Sequence, residues 1–460
     1  MRKQAEGKKP ARRKPAAHSA RRPEHAGHSG QKPSPASGTD RRSGAPAAAR
    51  EQRQPAAGFA VQRPRSERCP YSRKCGGCQL QNLEYPDQLR WKQRLMERLI
   101  GRFCSVAPIL GMDEPYHYRC KVQAAFGVVR GKFVCGIYQS STHHIIPVEH
   151  CRIEDENAGR IIADILALLP KFHIVPYNED TQRGVLRHVL VRRGYATGQY
   201  LVALVTGTPV LPAKNNFIRA LLKLHPEITT VVLNVNRKRT SMVLGDEEQT
   251  LYGPGTIEDE LCGLRFRISA SSFYQVNPVQ TERLYRAAIE MAQLTGTETV
   301  LDAYCGVGTI GLAASAKAGK VIGVELNPAA ARDAAENARR NGVKNARFYA
   351  GDAGEFLRET AEAGEKIDVV MMDPPRAGSS REFLAAVCRA APSRVVYISC
   401  NPETQARDLA YLTSHGYRAE RAQPVDMFPW THHCENIVSL TRRATPHAPP
   451  RTRVPARSGG

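Results

Sequence analysis

From about Ser272 to Arg443 the chain alternates short apolar runs, "TVLDAYCG", "VIGVEL", "ARFYAGD", "IDVVMMDPP" and "RVVYISC", with Ala-rich stretches of helical composition. Strands separated by helices do not pair as tight hairpins, and repeated alternation of this kind commonly brings each strand back in the same direction. The pattern therefore predicts an α/β fold with a doubly wound, mainly parallel sheet. In such a sheet the ligand crevice lies outside the carboxyl ends of the strands, so the residues that end each run are the ones to examine for chemistry.

The first run ends in "LDAYCGVGTIG", which places Gly306, Gly308 and Gly311 between a strand and a helix. Alone this G-x-G-x-x-G match is weak, but here it lets backbone approach a ligand and offers the amides of a helix N-terminus. Glu325 ends the second run, where a carboxylate can accept hydrogen bonds from ribose hydroxyls. A nicotinamide cofactor and S-adenosylmethionine would both use that geometry. Asp302 ahead of the loop suits the cationic methionine end of the latter, and Asp352, ending the third run, could receive an adenine amino group. The balance favours a methyl donor.

The fourth run ends in "DPPRAG". Two prolines hold the chain rigid while Asp373 faces the cleft. Amine-modifying methyltransferases often carry an Asn-Pro-Pro-aromatic version here, so Asp and Arg376 argue against an exocyclic amine as acceptor. The fifth run ends on Cys400, a thiol beside the same cleft. Methylation of a ring carbon explains its presence: uracil C5 becomes nucleophilic only after something adds to C6, and the C5 proton must afterwards leave to a base. Glu435 in "HHCENIVSL" stands where such a carboxylate is expected, with His432 and His433 as rivals whose expected role is structural.

Ahead of this region, "KVQAAFGVV", "KFVCGIY", "VLRHVLVRR", "YLVALVTG" and "TTVVLNVN" read as a mainly antiparallel β domain over residues 101–271. "YPDQLRWKQRLMERL" reads as an amphipathic helix with Leu89, Leu95 and Leu99 inward. Before it, "CPYSRKCGGC" sets Cys69, Cys75 and Cys78 at metal-ligand spacing within a module spanning 67–100, with Cys151 the expected fourth ligand. Thiolates alone suit tetrahedral zinc or an iron-sulfur cluster, and spacing leaves both open. The other cysteines show no such clustering.

Residues 1–66 and 444–460 are poor in large apolar side chains and are expected to be disordered. Residues 1–68 hold 17 basic and 5 acidic side chains, just over half of the net charge of +22. The excess that remains favours a polyanionic partner such as RNA. No run is apolar enough to span a membrane and the basic start lacks the apolar core of a signal peptide, so the cytoplasm is the expected compartment.

Taken together, "CPYSRKCGGC", "SSFYQVN", "LDAYCGVGT", "DPPRAG", "SCNP" and "HHCENI", in that order, resemble the RNA uracil-C5 methyltransferases, and specifically the 23S ribosomal RNA branch that carries a [4Fe-4S] cluster. The resemblance runs from about Cys69 to Leu440. It implies a Rossmann-like S-adenosylmethionine-dependent catalytic domain over 272–443 behind an RNA-binding β domain and an iron-sulfur module ligated by Cys69, Cys75, Cys78 and Cys151. It also implies methyl-donor contacts at Gln275, Tyr304, Thr309, Glu325 and Asp373, beside the Gly306, Gly308 and Asp352 already reached, with Cys400 as nucleophile and Glu435 as base. The expected product is 5-methyluridine, made by a monomer without an obligate protein partner. The departure is at the front, where many relatives carry a small β-barrel and residues 1–66 show no strand pattern. A transfer-RNA uridine is the nearest alternative substrate; a nicotinamide oxidoreductase would have no use for Cys400 with Glu435, and a non-catalytic RNA binder none for the glycine loop.

Overall fold

The computed structural model describes residues 69–139 and 142–443; the tails expected at 1–66 and 444–460 lie outside them. The cysteine-bearing start contains the four-residue helix α1 (Ser72–Cys75), closed by Gly76 at φ 66°. Helix α2 (Tyr85–Ile100) follows, with Pro86 in its first turn, where the missing N–H has no intrahelical partner to lose. Its deepest face is not the leucine face expected from the sequence. Gln88, Lys92, Met96 and Ile100 are buried, and Leu89, Leu95 and Leu99 are half-buried on its flanks. Two polar side chains on the innermost stripe must find partners inside the protein.

After β1 (Ser105–Val106) comes a seven-stranded sheet built from β2 (Lys121–Val129), β3 (Lys132–Tyr138), β4 (Ile145–Pro147), β5 (Leu186–Arg193), β6 (Tyr200–Thr206), β7 (Ile228–Val235) and β8 (Glu247–Tyr252). Its order is β4-β3-β2-β5-β6-β7-β8. Every pairing is antiparallel except β6 with β7, which helix α4 (Lys214–Leu224) connects as a crossover. Helix α3 (Glu156–Leu168), with α4, covers one face of this sheet through Ile161, Ile165, Phe217 and Leu221. The other face contributes Leu190, Leu201, Ala203 and Val232 to the same core as the hairpin β9 (Ile257–Leu261) and β10 (Leu264–Ile268).

The remaining elements alternate as expected: α5 (Pro278–Ala292), β11 (Thr299–Ala303), α6 (Thr309–Ser315), β12 (Lys320–Glu325), α7 (Pro328–Arg340), β13 (Ala346–Ala350), α8 (Ala353–Glu362), β14 (Val369–Met372), α9 (Arg381–Ala390), β15 (Arg394–Ser399) and α10 (Pro402–Ser414). Strands β16 (Tyr417–Val425) and β17 (Glu435–Arg442) then close an eight-stranded sheet of order β1-β16-β17-β15-β14-β11-β12-β13. Only β17 runs against its neighbours. The order reverses between β11 and β14, the switch point at which the glycine loop and Asp373 meet. Strand β1 joins this sheet through β16, so the segment directly after α2 packs with the C-terminal strands.

Candidate active site

The loop after β11 is contorted. Tyr304, Gly306 and Gly308 all have positive φ, at 65°, 55° and 83°. A β-carbon on Gly308 would also stand 2.9 Å from Phe348 and 3.0 Å from Ala334, so glycine is required there by space as well as by backbone. Thr309 opens α6 with its Oγ1 2.9 Å from the hydroxyl of Tyr285. The Tyr304 ring lies 5.2 Å from that of Phe383.

Glu325 ties two strand ends together. Its Oε2 accepts the Gly306 N–H at 3.0 Å and its Oε1 the Asn327 N–H at 2.8 Å, which leaves further lone pairs for ligand hydroxyls. Asp302 is 1% exposed beneath the loop. Its Oδ2 accepts the Gly311 N–H at 2.7 Å while Oδ1 has no partner, and burial pushes the carboxyl up to about 7. A buried carboxyl oxygen left without a donor under a glycine loop fits a ligand that brings a positive charge. Asp352 caps α8 by accepting the N–H groups of Gly354 and Glu355 through Oδ1. Gln275 is half-buried between β10 and α5, two residues past the exposed ring of Phe273.

On the other side of the switch point, β15 and β17 pair antiparallel as far as Ser399 opposite Asn436. The next residues outward are Cys400 and Glu435, so the thiol and the carboxylate that the sequence paired emerge side by side. Glu435 is buried, and Cys400 and Asp373 are half-buried. Burial pushes the Cys400 thiol up to about 11, Glu435 and Asp373 add to the shift, and Arg376 opposes it by its charge and a side-chain hydrogen bond. Burial and then the neighbouring Asp373 raise Glu435, again against Arg376. Burial raises Asp373 as well. Two of these three acidic groups, Cys400 and Glu435, thus share one guanidinium.

Arg376 is the residue that sequence reasoning missed. The sequence marks it only as a difference from an aromatic, and its place directly after the rigid Pro374-Pro375 pair gives no local sign of where its side chain turns. The turn after Cys400 holds it: Asn401 caps α10 through Oδ1 and donates from Nδ2 to the Arg376 carbonyl at 3.0 Å, and Thr404 Oγ1 donates to the same oxygen at 3.3 Å. His432 and His433 lie 4.3 Å apart, and burial, His432, Arg376 and Lys92 push His433 down to about 4.

The four cysteines of the amino-terminal cluster share one neighbourhood. Gly77 lets backbone pass close to the Cys75 sulfur, 3.3 Å from where a side chain would start. Burial raises the thiols of Cys75, Cys78 (to about 11) and Cys151 (to about 12). They also act on one another: Cys69 on Cys75 and Cys78, Cys75 on Cys78, and Cys78 on Cys151. Among the described residues, no three His, Cys, Asp or Glu side chains are grouped closely enough to hold a single metal ion.

Residues 84–443 match the sequence family described as tRNA (Uracil-5-)-methyltransferase. The chain belongs to the RNA uracil-C5 methyltransferases. An uncharacterized RNA methyltransferase of Halalkalibacterium halodurans is 44% identical over 377 residues, covering 81% of this chain and 82% of that protein. One of Clostridium acetobutylicum is 42% identical over 381 residues, covering 81% and 83%. The crystal structure of Pyrococcus abyssi tRNA (uracil-54, C5)-methyltransferase in complex with S-adenosyl-L-homocysteine superposes with a TM-score of 0.67 at 27% identity, over 79% of this chain and 86% of that one. This methyltransferase is therefore an S-adenosylmethionine-dependent enzyme with the α/β fold of its class, and RNA is its substrate class. The family match begins after Cys69, Cys75 and Cys78, which lie ahead of it. No helix among the described residues is long and apolar enough to cross a membrane.

Proposed function

We propose that this methyltransferase makes 5-methyluridine in 23S ribosomal RNA, with Cys400 as nucleophile and Glu435 as base. The observation that carries the reading is the side-by-side emergence of Cys400 and Glu435 from paired strands, under the guanidinium of Arg376. Cys400, as thiolate, adds to C6 of the uracil and drives the ring electrons towards C5 and the O4 enolate. When bound, S-adenosylmethionine supplies the electrophilic methyl group that C5 takes. Glu435, as carboxylate, then removes the C5 proton, and the electron pair re-forms the C5–C6 double bond as the Cys400 sulfur leaves. Arg376 favours the ionised form of both groups, opposing the burial that would keep them neutral.

The donor would rest on the glycine loop, Gly306 and Gly308, with Glu325 on the ribose, Asp352 at the adenine, and Tyr304, Thr309, Gln275 and Asp373 around the methionine and methyl ends. The target uridine must be extruded, since neither ring face is open to a thiol within a stack. The net charge of +10 left to the chain after residue 68 suits the phosphates around it. In this reading the central β domain, 101–271, holds the RNA.

Cys69, Cys75, Cys78 and Cys151 would ligate a [4Fe-4S] cluster. An all-thiolate set whose members act on one another electrostatically suits such a cluster, which would take all four as thiolates. This cluster is the feature favouring ribosomal RNA. A transfer-RNA uridine is the second reading, favoured by the name of the solved relative and of the matching family.

Incubation with 5-fluorouridine-substituted 23S RNA or transfer RNA and labelled S-adenosylmethionine tests both. Fluorine at C5 cannot leave as a proton, so the true substrate is trapped as a denaturation-resistant adduct that Cys400→Ala cannot form. Trapping on transfer RNA alone selects the second reading; no adduct with either sinks the mechanism.

A further inference from the structure

Nine residues, Asp426 to Cys434, connect β16 to Glu435, and Val425 pairs with Glu435 where the two strands meet. This connection is held almost residue by residue from helix α2 and its surroundings. Lys92 and Asp426 are both fully buried, and Lys92 Nζ donates to Asp426 Oδ1 at 2.5 Å and to the Phe428 carbonyl at 3.0 Å. The Tyr85 hydroxyl donates to Asp426 Oδ2 at 2.8 Å. One turn further on, Gln88 Oε1 accepts the Trp430 N–H at 2.9 Å, where Trp430 holds a positive φ of 72°. The three side chains lie at spacings of three and four along α2, which places them on one face of the helix. This is the polar inner stripe that replaced the expected leucine face.

A buried ion pair is weak evidence for stability, because desolvation offsets most of the attraction. What this pair does without ambiguity is fix backbone: one ammonium bonds both Asp426 and Phe428 in a loop whose next strand begins with Glu435. We propose that Lys92 is a positioning residue for the proton-abstraction step, acting through this loop to hold Glu435 at the uracil C5. The proposal rests on the reading of Glu435 as base.

That step alone needs Glu435, since thiol addition and methyl transfer precede it. Displacement of the loop should therefore slow release of methylated RNA and spare its formation. Single-turnover reactions on unsubstituted RNA read both rates: methyl incorporation in a burst, and decay of the denaturation-resistant enzyme–RNA adduct. In Lys92→Met the burst is expected to stay within about twofold of wild type while decay slows about tenfold, so adduct accumulates. Glu435→Gln, run in parallel, should accumulate adduct more strongly.

Because Lys92→Met leaves Asp426 buried without its partner and can fail to fold, the double variant Lys92→Met/Asp426→Leu removes both charges. It should regain thermal stability yet keep the slow decay. A burst slowed as much as decay, or decay that recovers together with stability in the double variant, overturns the role of Lys92. If adduct accumulates in Glu435→Gln but not in either Lys92 variant, this proposal alone falls. If Glu435→Gln releases product at the wild-type rate, the base assignment falls and takes this one with it.

Discussion

Sulfur gathers at two places in this methyltransferase, and burial raises the thiol pKa at both. At Cys400 the rise is opposed by a guanidinium held at hydrogen-bonding reach. At Cys75, Cys78 and Cys151 burial is reinforced by the other cysteines and by Glu154. In the proposed reading, the difference separates a nucleophile from a ligand set. A lone thiol beside a fixed cation can ionise when its substrate arrives, whereas several buried thiols that repel one another's ionisation need an added positive centre to become thiolates together.

The strongest way to break the comparison is to remove the proposed nucleophile. Cys400→Ala should lower methylation by at least about a thousandfold and leave no trapped adduct in gel or mass analysis. Wild-type-like adduct in that variant would move the chemistry elsewhere. Next in size, Glu435→Gln should form the methylated adduct but release it roughly 10²- to 10⁴-fold more slowly. Turnover at the wild-type rate would return His432 or His433 to consideration as base.

Arg376→Met sharpens the comparison itself. With the thiol pushed up to about 11 in the free enzyme, the thiolate fraction rises about tenfold per pH unit below that value, so iodoacetamide alkylation of Cys400 should climb steadily as pH increases. Losing the guanidinium removes the one influence pulling that value down. The alkylation profile should move to higher pH, and at neutral pH the rate should fall roughly tenfold. An unmoved profile would mean that the guanidinium does not tune the thiol.

The smallest effect on chemistry is expected at the proposed cluster. Protein purified without oxygen should be brown and contain iron, and Cys78→Ser should lose that iron and melt roughly 10 °C lower. Its rate per folded molecule should change far less than in the Cys400 or Glu435 variants. Stoichiometric zinc in place of iron would replace the cluster with a single-ion site.

What could be read from the sequence follows sequence distance. The parallel strands, the glycine loop and the strand-end positions of Asp373 and Cys400 were legible, because alternation and strand termini are local signals in a doubly wound sheet. The end of β17 nearest the thiol was legible as well, since Glu435 opens an apolar run. Helix α2 was legible as a helix but turned the wrong way: its inner stripe is set by Asp426, Phe428 and Trp430, more than 300 residues away in the chain. The same holds for β1, whose two residues join a sheet only because β16 presents an edge to them. Arg376 was seen and undervalued, since nothing local says that a side chain after two prolines will turn back onto a thiol in the next strand.

The antiparallel insertion of β17 has one more implication. Cys400 leaves one strand and Glu435 enters its hydrogen-bonded neighbour, so the backbone spacing between them is set by the ladder, and the loop before Glu435 is left only to aim its side chain. Drawing the two backbones apart would mean breaking that ladder. Whatever restrains the enzyme between substrates must act on that aim or on what reaches the pair.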